Sequence, residues 1–248
     1  MAKIFPLSEG VFTIGHDKQF VPFDLEKDEL TDRPTGSLLV EIQPFLVVIG
    51  NDVMVLDTGL GFNTSEGVLQ IHDNIRKCGY EPEQVTKVLL SHLHKDHAGG
   101  VTYKDVNGVI KATFPNAEYY IYRPEADFAL KKGYPSYHPE EIEPLLATGQ
   151  VQWLDGEEGA IGEHIRFYHS GAHCPEHIVF LLAEGNEKIF FGGDEAPQLK
   201  QMKMKYVAKY DYDGKKAMAL REQYAEQGRK EGWQFLFYHD VKMPVAKL

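Results

Sequence analysis

The chain has 248 residues and a mass of 28.1 kDa, with 37 acidic against 26 basic side chains, a net charge of −11 and a pI near 5.5. That length can bury a sizeable core without covalent staples. The two cysteines, Cys78 and Cys174, exclude a disulfide-scaffolded secreted module, and the negative field disfavours a long nucleic-acid footprint. The opening MAKIFPLSEGVFTIGHDK holds no apolar run of signal-peptide length, and no 18-residue apolar stretch follows. The expectation is a soluble cytoplasmic protein, off the membrane, with one domain over 1–248.

In chain order, apolar segments of strand length come first, at 37–42 (SLLVEI), 44–50 (PFLVVIG) and 52–59 (DVMVLDTG). Gly50-Asn51-Asp52 between the last two reads as a tight hairpin turn. Val68, Leu69, Ile71 and Ile75 lie near a 3.6-residue period and predict a helix over 64–78, stopped at Gly79. VTKVLLS (85–91) is a largely apolar strand that runs straight into HLHKDHAGG. Beyond it, 118–123 reads as a strand and 125–132 and 138–147 as short helices, with KKGYPSYHPE (131–140) as the loop between them. Strands are expected at 165–170, 177–183 and 188–192, then a long charged helix over 214–231 and a last strand at 234–240. Hairpins in both halves with interspersed helices fit two mixed sheets with helices outside.

Three of the 11 histidines, His92, His94 and His97, fall within six residues at the end of a strand. In extended geometry His92 and His94 share a face, and a helical turn after them brings Asp96 and His97 to the same cavity. Four imidazole or carboxylate groups so close are expensive to bury without partners, and a divalent cation resolves that cost. The plainer alternative is a solvated histidine-rich turn. The apolar strand before the cluster and Ala98-Gly99-Gly100 after it set it apart from a polar tail. Three later strand ends offer the same chemistry: Ser170-Gly171-Ala172-His173, Gly192-Gly193-Asp194 and Tyr238-His239-Asp240. Singly each reads as a turn or a satisfied core group; together they complete two sets of three or four ligands.

HLHKDH at 92–97, GAHCPEH at 171–177, GGD at 192–194 and His239 together resemble the metallo-β-lactamase superfamily, over roughly residues 36–240. The resemblance implies an α+β fold, a four-layer αββα sandwich with two mixed β-sheets and a dinuclear site on one edge. It implies His92, His94 and His173 on one metal, Asp96, His97 and His239 on the other, and Asp194 bridging both. Asp57 of VLDTG would stand behind the ligands and orient them. Two divalent ions are expected, zinc first, with manganese or iron as alternatives. His177 is expected to be a buried structural histidine bonded to backbone, and Cys174 a packed thiol.

The departures narrow the choice. His94 stands where flavin-associated diiron oxidoreductases usually place Glu, and Asp194 where the β-lactamases of the family use Cys or Ser. No RNA-binding arm or basic glutathione-binding extension is found. What remains is similar to stand-alone dimetal hydrolases that include quorum-signal lactonases, although their tyrosine three residues after the bridging aspartate is here Pro197. The implied reaction is attack by a metal-bridging hydroxide on a lactone or carboxylic ester of a small, mostly apolar molecule. Asp96 would orient the nucleophile or accept its proton. Tyr134 and Tyr137 of the middle loop, with Tyr206 and Tyr210, are candidates for substrate contact. A phosphoric-ester hydrolase, a mononuclear-iron redox enzyme and a metal-binding protein without turnover stay open as alternatives.

Overall fold

Alternation of apolar side chains decides how the layers stack in the computed structural model, which describes residues 1–248. In the strand Phe45–Ile49, residues Phe45, Val47 and Ile49 point one way and Leu46 the other. The first three join Met54 and Leu56 of the strand Asp52–Leu56 in a core shared with Ile178, Phe180 and Phe191 from the far half of the chain. Leu46 and Val55 instead pack under Ile71 and Ile75 of the helix Gln70–Lys77. The second half repeats the rule. Val179, Phe190 and Phe235 turn outward onto Ala225 of the helix Gly214–Glu231 and onto Trp233. The order of layers is therefore helix, sheet, sheet, helix, as the resemblance implied.

Each main sheet has six strands. The first runs Lys3–Pro6, Phe45–Ile49, Asp52–Leu56, Lys87–Leu89, Glu118–Tyr122, Val151–Leu154. Its first two pairings are antiparallel and its last three parallel. The second runs Glu158–Ile161, Ile165–His169, Ile178–Glu184, Glu187–Phe191, Gln234–Leu236, Val245–Ala246, with only the pairing of Glu187–Phe191 to Gln234–Leu236 parallel. Both sheets are mixed. The helix Gly214–Glu231 lies close on the second: a Cβ at Gly228 would stand 2.3 Å from the Phe235 ring, so only glycine lets the helix settle there. Asp213 starts this helix by accepting from the Lys216 N–H, and Gly232, at φ 71°, ends it in the left-handed conformation.

The expected elements are present with three corrections. The helix expected over 64–78 begins only at Gln70, because Thr64 closes a turn instead: its hydroxyl accepts from the Glu66 and Val68 N–H groups, and Asn63 bridges Leu69. The last strand, expected over 234–240, stops at Leu236. Phe237 gives its N–H to Pro244 and His239 gives its own to Pro197, so the chain peels off the ladder towards the site. The strand Leu38–Ile42 joins neither main sheet but a three-stranded one with Gly10–Ile14 and Phe20–Pro22. The 131–140 loop does connect two helices, Arg123–Lys132 and Pro139–Leu146.

Candidate metal centre

The strand Lys87–Leu89 ends three residues before His92, and His94 begins the short helix Lys95–Ala98. This is the extended-then-helical path that the spacing required. It turns His92 Nε2 to 2.9 Å from His94 Nδ1, while His173 Nε2 comes within 3.2 Å of the same nitrogen from the other half of the chain. Burial, then neighbouring positive charge, holds the imidazoles of His92 and His94 well below the usual histidine range. Neutral ring nitrogens converging on one point are short of protons to share, and a cation suits that arrangement.

Asp194 stands between two sets of histidines. Its Oδ2 is 3.1 Å from His173 Nε2; its Oδ1 is 3.0 Å from His239 Nε2 and 3.3 Å from His97 Nε2. Burial favours its neutral acid, but His239, His173 and His97 outweigh that and hold it well below the usual carboxylate range. Asp96 Oδ2 is 3.5 Å from His239 Nε2 and 3.7 Å from His97 Nε2. His92, His94, His173 and Asp194 form one group able to hold a metal, and Asp96, His97 and His239 form another; within each, potential ligand atoms lie within 4.8 Å of one another. His97 Nε2 and Asp194 Oδ1 are buried without a hydrogen-bond partner, which is the state of atoms that complete their bonding on a cation. The residues fit a pair of divalent ions. The structure thus brings together all seven expected ligands.

The far nitrogen of each histidine facing Asp194 has its own acceptor. His97 Nδ1 donates to Asp57 Oδ2 at 2.7 Å, His239 Nδ1 to the Glu41 carbonyl at 2.7 Å, and His173 Nδ1 to Asp211 Oδ1 at 3.0 Å. These bonds fix which nitrogen faces inwards. Asp57 also offers a potential ligand group with His92 and His97, but it is fully buried and its oxygens accept from the Ser91 N–H and hydroxyl, both at 2.7 Å. It lies against His97 and Ser91, on a backbone at φ 55° that aspartate tolerates better than most residues. His177 is wholly buried, paired with the Ser170 hydroxyl at 2.9 Å, and accepts from the Asp194 N–H at 3.2 Å. A Cβ on Gly193 would come within 2.9 Å of His177 and 2.6 Å of the Ser91 hydroxyl, so the turn that delivers Asp194 requires glycine. Cys174 is buried against Glu125, whose carboxyl burial pushes up to about 7.

A cleft of about 760 Å³ opens above Asp96, Asp194, His94, His173 and His239. Tyr137, Tyr206 and Tyr210 line it; Tyr137 lies with its ring 4.7 Å from that of His94, and Tyr210 is 6.1 Å from His173. Tyr134 does not. It is 62 % exposed, with its ring against His138 and its hydroxyl held by Glu140 in the first turn of the following helix. Pro197 holds the floor together through its carbonyl, which accepts from the His239 N–H at 3.0 Å. Two contributors had no spacing signal: Asp211, from the YDYDG stretch, and Glu195, whose Oε1 accepts from the Ala172 and His173 N–H groups. Glu195 directly follows Asp194, and an acidic pair after an apolar strand is the signal that could have found it.

The pattern of the Metallo-beta-lactamase superfamily matches residues 41–229. A Bacillus N-acyl homoserine lactonase is 25% identical over 240 residues, which is 91% of this chain and 89% of that protein. The atrochrysone carboxyl ACP thioesterase of Passalora fulva is 26% identical over 151 residues, 60% of this chain; the match spans only 36% of the thioesterase. Among solved structures, a probable metal-dependent hydrolase from Staphylococcus aureus superposes with a TM-score of 0.79 at 20% identity, covering 99% of this chain and 92% of its own.

Proposed function

The chain belongs to the metallo-β-lactamase superfamily, and from that premise we propose that it is a dinuclear metal-dependent hydrolase of a lactone or carboxylic ester. The observation that carries this reading is Asp194, with one carboxylate oxygen turned to His173 and the other to His97 and His239. In this reading His92, His94 and His173 would hold one ion, Asp96, His97 and His239 would hold the other, and Asp194 would face both. Zinc suits this imidazole and carboxylate set, with manganese and iron next. A divalent pair bound there supplies Lewis acidity and a water of lowered pKa.

The protein's own residues do the rest. Asp57, Asp211 and the Glu41 carbonyl keep three imidazoles aimed inwards, so the site needs little reorganisation during reaction. The Asp96 carboxylate borders the cleft and takes the proton released by the attacking water. The backbone carbonyl of Asp96 accepts from the Tyr238 hydroxyl at 2.6 Å, and the Tyr238 ring stacks 4.0 Å from that of His97, which fixes the helical turn carrying both groups. Ile14, Phe20, Val40 and Phe128 give the cleft an apolar wall for an acyl chain, Tyr137 adds its ring while its hydroxyl is buried, and Tyr206 and Tyr210 are the candidates to position the carbonyl. Tyr134 is left out of this role.

The same reading has one domain acting on a small molecule in the cytoplasm. Cys78 and Cys174 are both free thiols, which suits a reducing compartment, and no helix is long and apolar enough to cross a membrane. Thioester hydrolysis is the second reading, supported by the partial likeness to the ACP thioesterase. The test is a panel of acyl lactones, aryl esters, thioesters and phosphotriesters, assayed with zinc, manganese and cobalt. Lactones or oxygen esters should lead. A thioester that leads would move the assignment to the second reading. A phosphorus substrate turned over about a hundredfold better than every acyl compound, roughly 2.7 kcal/mol of transition-state discrimination, would overturn it.

A further inference from the structure

The mouth of the cleft contradicts the charge of the chain. Acidic side chains outnumber basic ones 37 to 26, yet the charged residues lining the cleft divide sharply. The three carboxylates, Asp96, Asp194 and Asp211, all belong to the metal centre or support it. Every other charged lining residue is basic: Lys18, Arg33, Lys95, Lys132 and Lys200. They come from different parts of the chain, so no basic stripe marks them in the sequence. None has a carboxylate within ion-pair distance, whereas partly buried lysines elsewhere, such as Lys87 with Asp52 and Lys188 with Glu231, do.

Lys95 lies in the helical turn that carries Asp96 and His97, and the charge of Lys18 acts on His94. Lys95 lies between His94 and Asp96, and its Nζ sits 4.9 Å above the Phe20 ring, itself part of the cleft wall. Its backbone N–H donates to the Ser136 carbonyl at 2.9 Å, which ties the 131–140 loop to the same wall. Glu141 feels the charge of Lys95 without reaching ion-pair distance. Lys18 is two residues before Phe20, at φ 57°. That left-handed conformation costs a lysine about 1–2 kcal/mol, and the charge of Lys18 reaches the His94 ring. Both side chains are half-buried, and an anion entering the cleft offsets their desolvation.

We propose that Lys18 and Lys95 bind an anionic group, carboxylate or phosphate, carried by the substrate away from the scissile bond, so that the enzyme acts on anionic acyl esters rather than on neutral apolar ones. The inference rests on the ester-hydrolase reading and changes its expected substrate. Apolar lining beside a basic mouth suits an acyl chain with a charged end. The net charge of −11 repels anions at long range, and the five cations reverse the potential only at the entrance.

The test compares matched esters on the metal-loaded enzyme: 4-nitrophenyl octanoate, mono(4-nitrophenyl) suberate, and the 4-nitrophenyl ester of an ω-phosphonoalkanoic acid of equal length. Wild type should prefer the better anion by about tenfold or more in kcat/KM at low salt, and lose that preference in high salt. The carboxylate and phosphonate arms show which group is preferred. In K18Q, K95Q and the double variant the preference should fall towards one through KM, with octanoate turnover within about threefold of wild type. Equal use of charged and neutral esters by wild type, or an equal drop on both in the variants, overturns the proposal. If no ester is cleaved, the hydrolase reading fails, and calorimetric binding of suberate decides separately. Binding at least about tenfold weaker in the double variant supports the anion site, and unchanged binding rejects it.

Discussion

At the floor of the cleft the inward-facing nitrogens of His97, His173 and His239 are set by acceptors behind them, whereas at its mouth five cations stand without a carboxylate partner. The floor is closed around its own groups: Asp57 alone takes three hydrogen bonds, and Asp194 is shared by three imidazoles. The mouth carries its five cations on turns, loops and helices outside the strands, and none of them has a carboxylate at ion-pair distance. The floor therefore sets the reaction and the mouth sets what may enter. Mutations in the two regions should separate, with floor changes acting on every substrate alike and mouth changes acting on some.

The largest expected effect is at Asp194. Asp194→Asn keeps the shape but removes the charge facing three histidines, so kcat/KM should fall on the order of 10²–10³-fold on all substrates, with metal content reduced and the near-UV spectrum native. Unchanged activity would place Asp194 outside the site. One step back, Asp57→Asn and Asp211→Asn each leave an imidazole without its carboxylate acceptor and should cost roughly 10–100-fold in metal affinity or activity. Titration of metal binding by calorimetry checks this, and Asp211 matters most because its partner His173 arrives from a loop. If Asp211→Asn binds metal like wild type, the bond to His173 is incidental.

Behind the floor, burial pushes the Glu9 carboxyl up to about 8, although it accepts from the Leu60 N–H at 2.6 Å. The raised folded-state pKa means that the stability this group contributes is present below about 4.5 and is lost as pH rises towards 8. Glu9→Gln removes that loss, so the stability of the variant relative to wild type should increase by a few kcal/mol between pH 4.5 and 8, at about 1.4 kcal/mol per pKa unit. Urea unfolding across that range reads it, and a gap that stays constant with pH contradicts it. The smallest effect belongs to Tyr134→Phe. Its hydroxyl faces Glu140 outside the cleft, so kcat/KM should stay within about twofold for every ester, whereas Tyr210→Phe should shift KM among them.

The same division explains what the sequence could reveal. His92, His94, Asp96 and His97 were legible because one strand end and one helical turn bring them together, a purely local matter of spacing. His173, Asp194 and His239 were reached through the family resemblance and the habit of functional groups to sit at strand ends. Asp211 was hidden because its bond to His173 spans 38 residues and rests on loop contacts, the Tyr212 and Asp213 N–H groups bonding to the carbonyls of His173 and Ala172. The two mixed sheets were legible from hairpins in both halves with helices between them, and their stacking came with the family resemblance. The three-stranded sheet was not legible, because Phe20–Pro22 is only three residues long and carries a proline. The basic mouth was invisible for a related reason: its five residues are spread from 18 to 200 and only the fold gathers them.

Two ions sharing Asp194 are the core of the proposed centre, and anomalous diffraction from a metal-replete crystal, with metal content measured on the same protein, tests that most directly. Two anomalous peaks at full occupancy are expected, one beside His92, His94 and His173 and one beside Asp96, His97 and His239, with the Asp194 carboxylate between them. A single fully occupied peak, or two that leave Asp194 on one ion only, would contradict it.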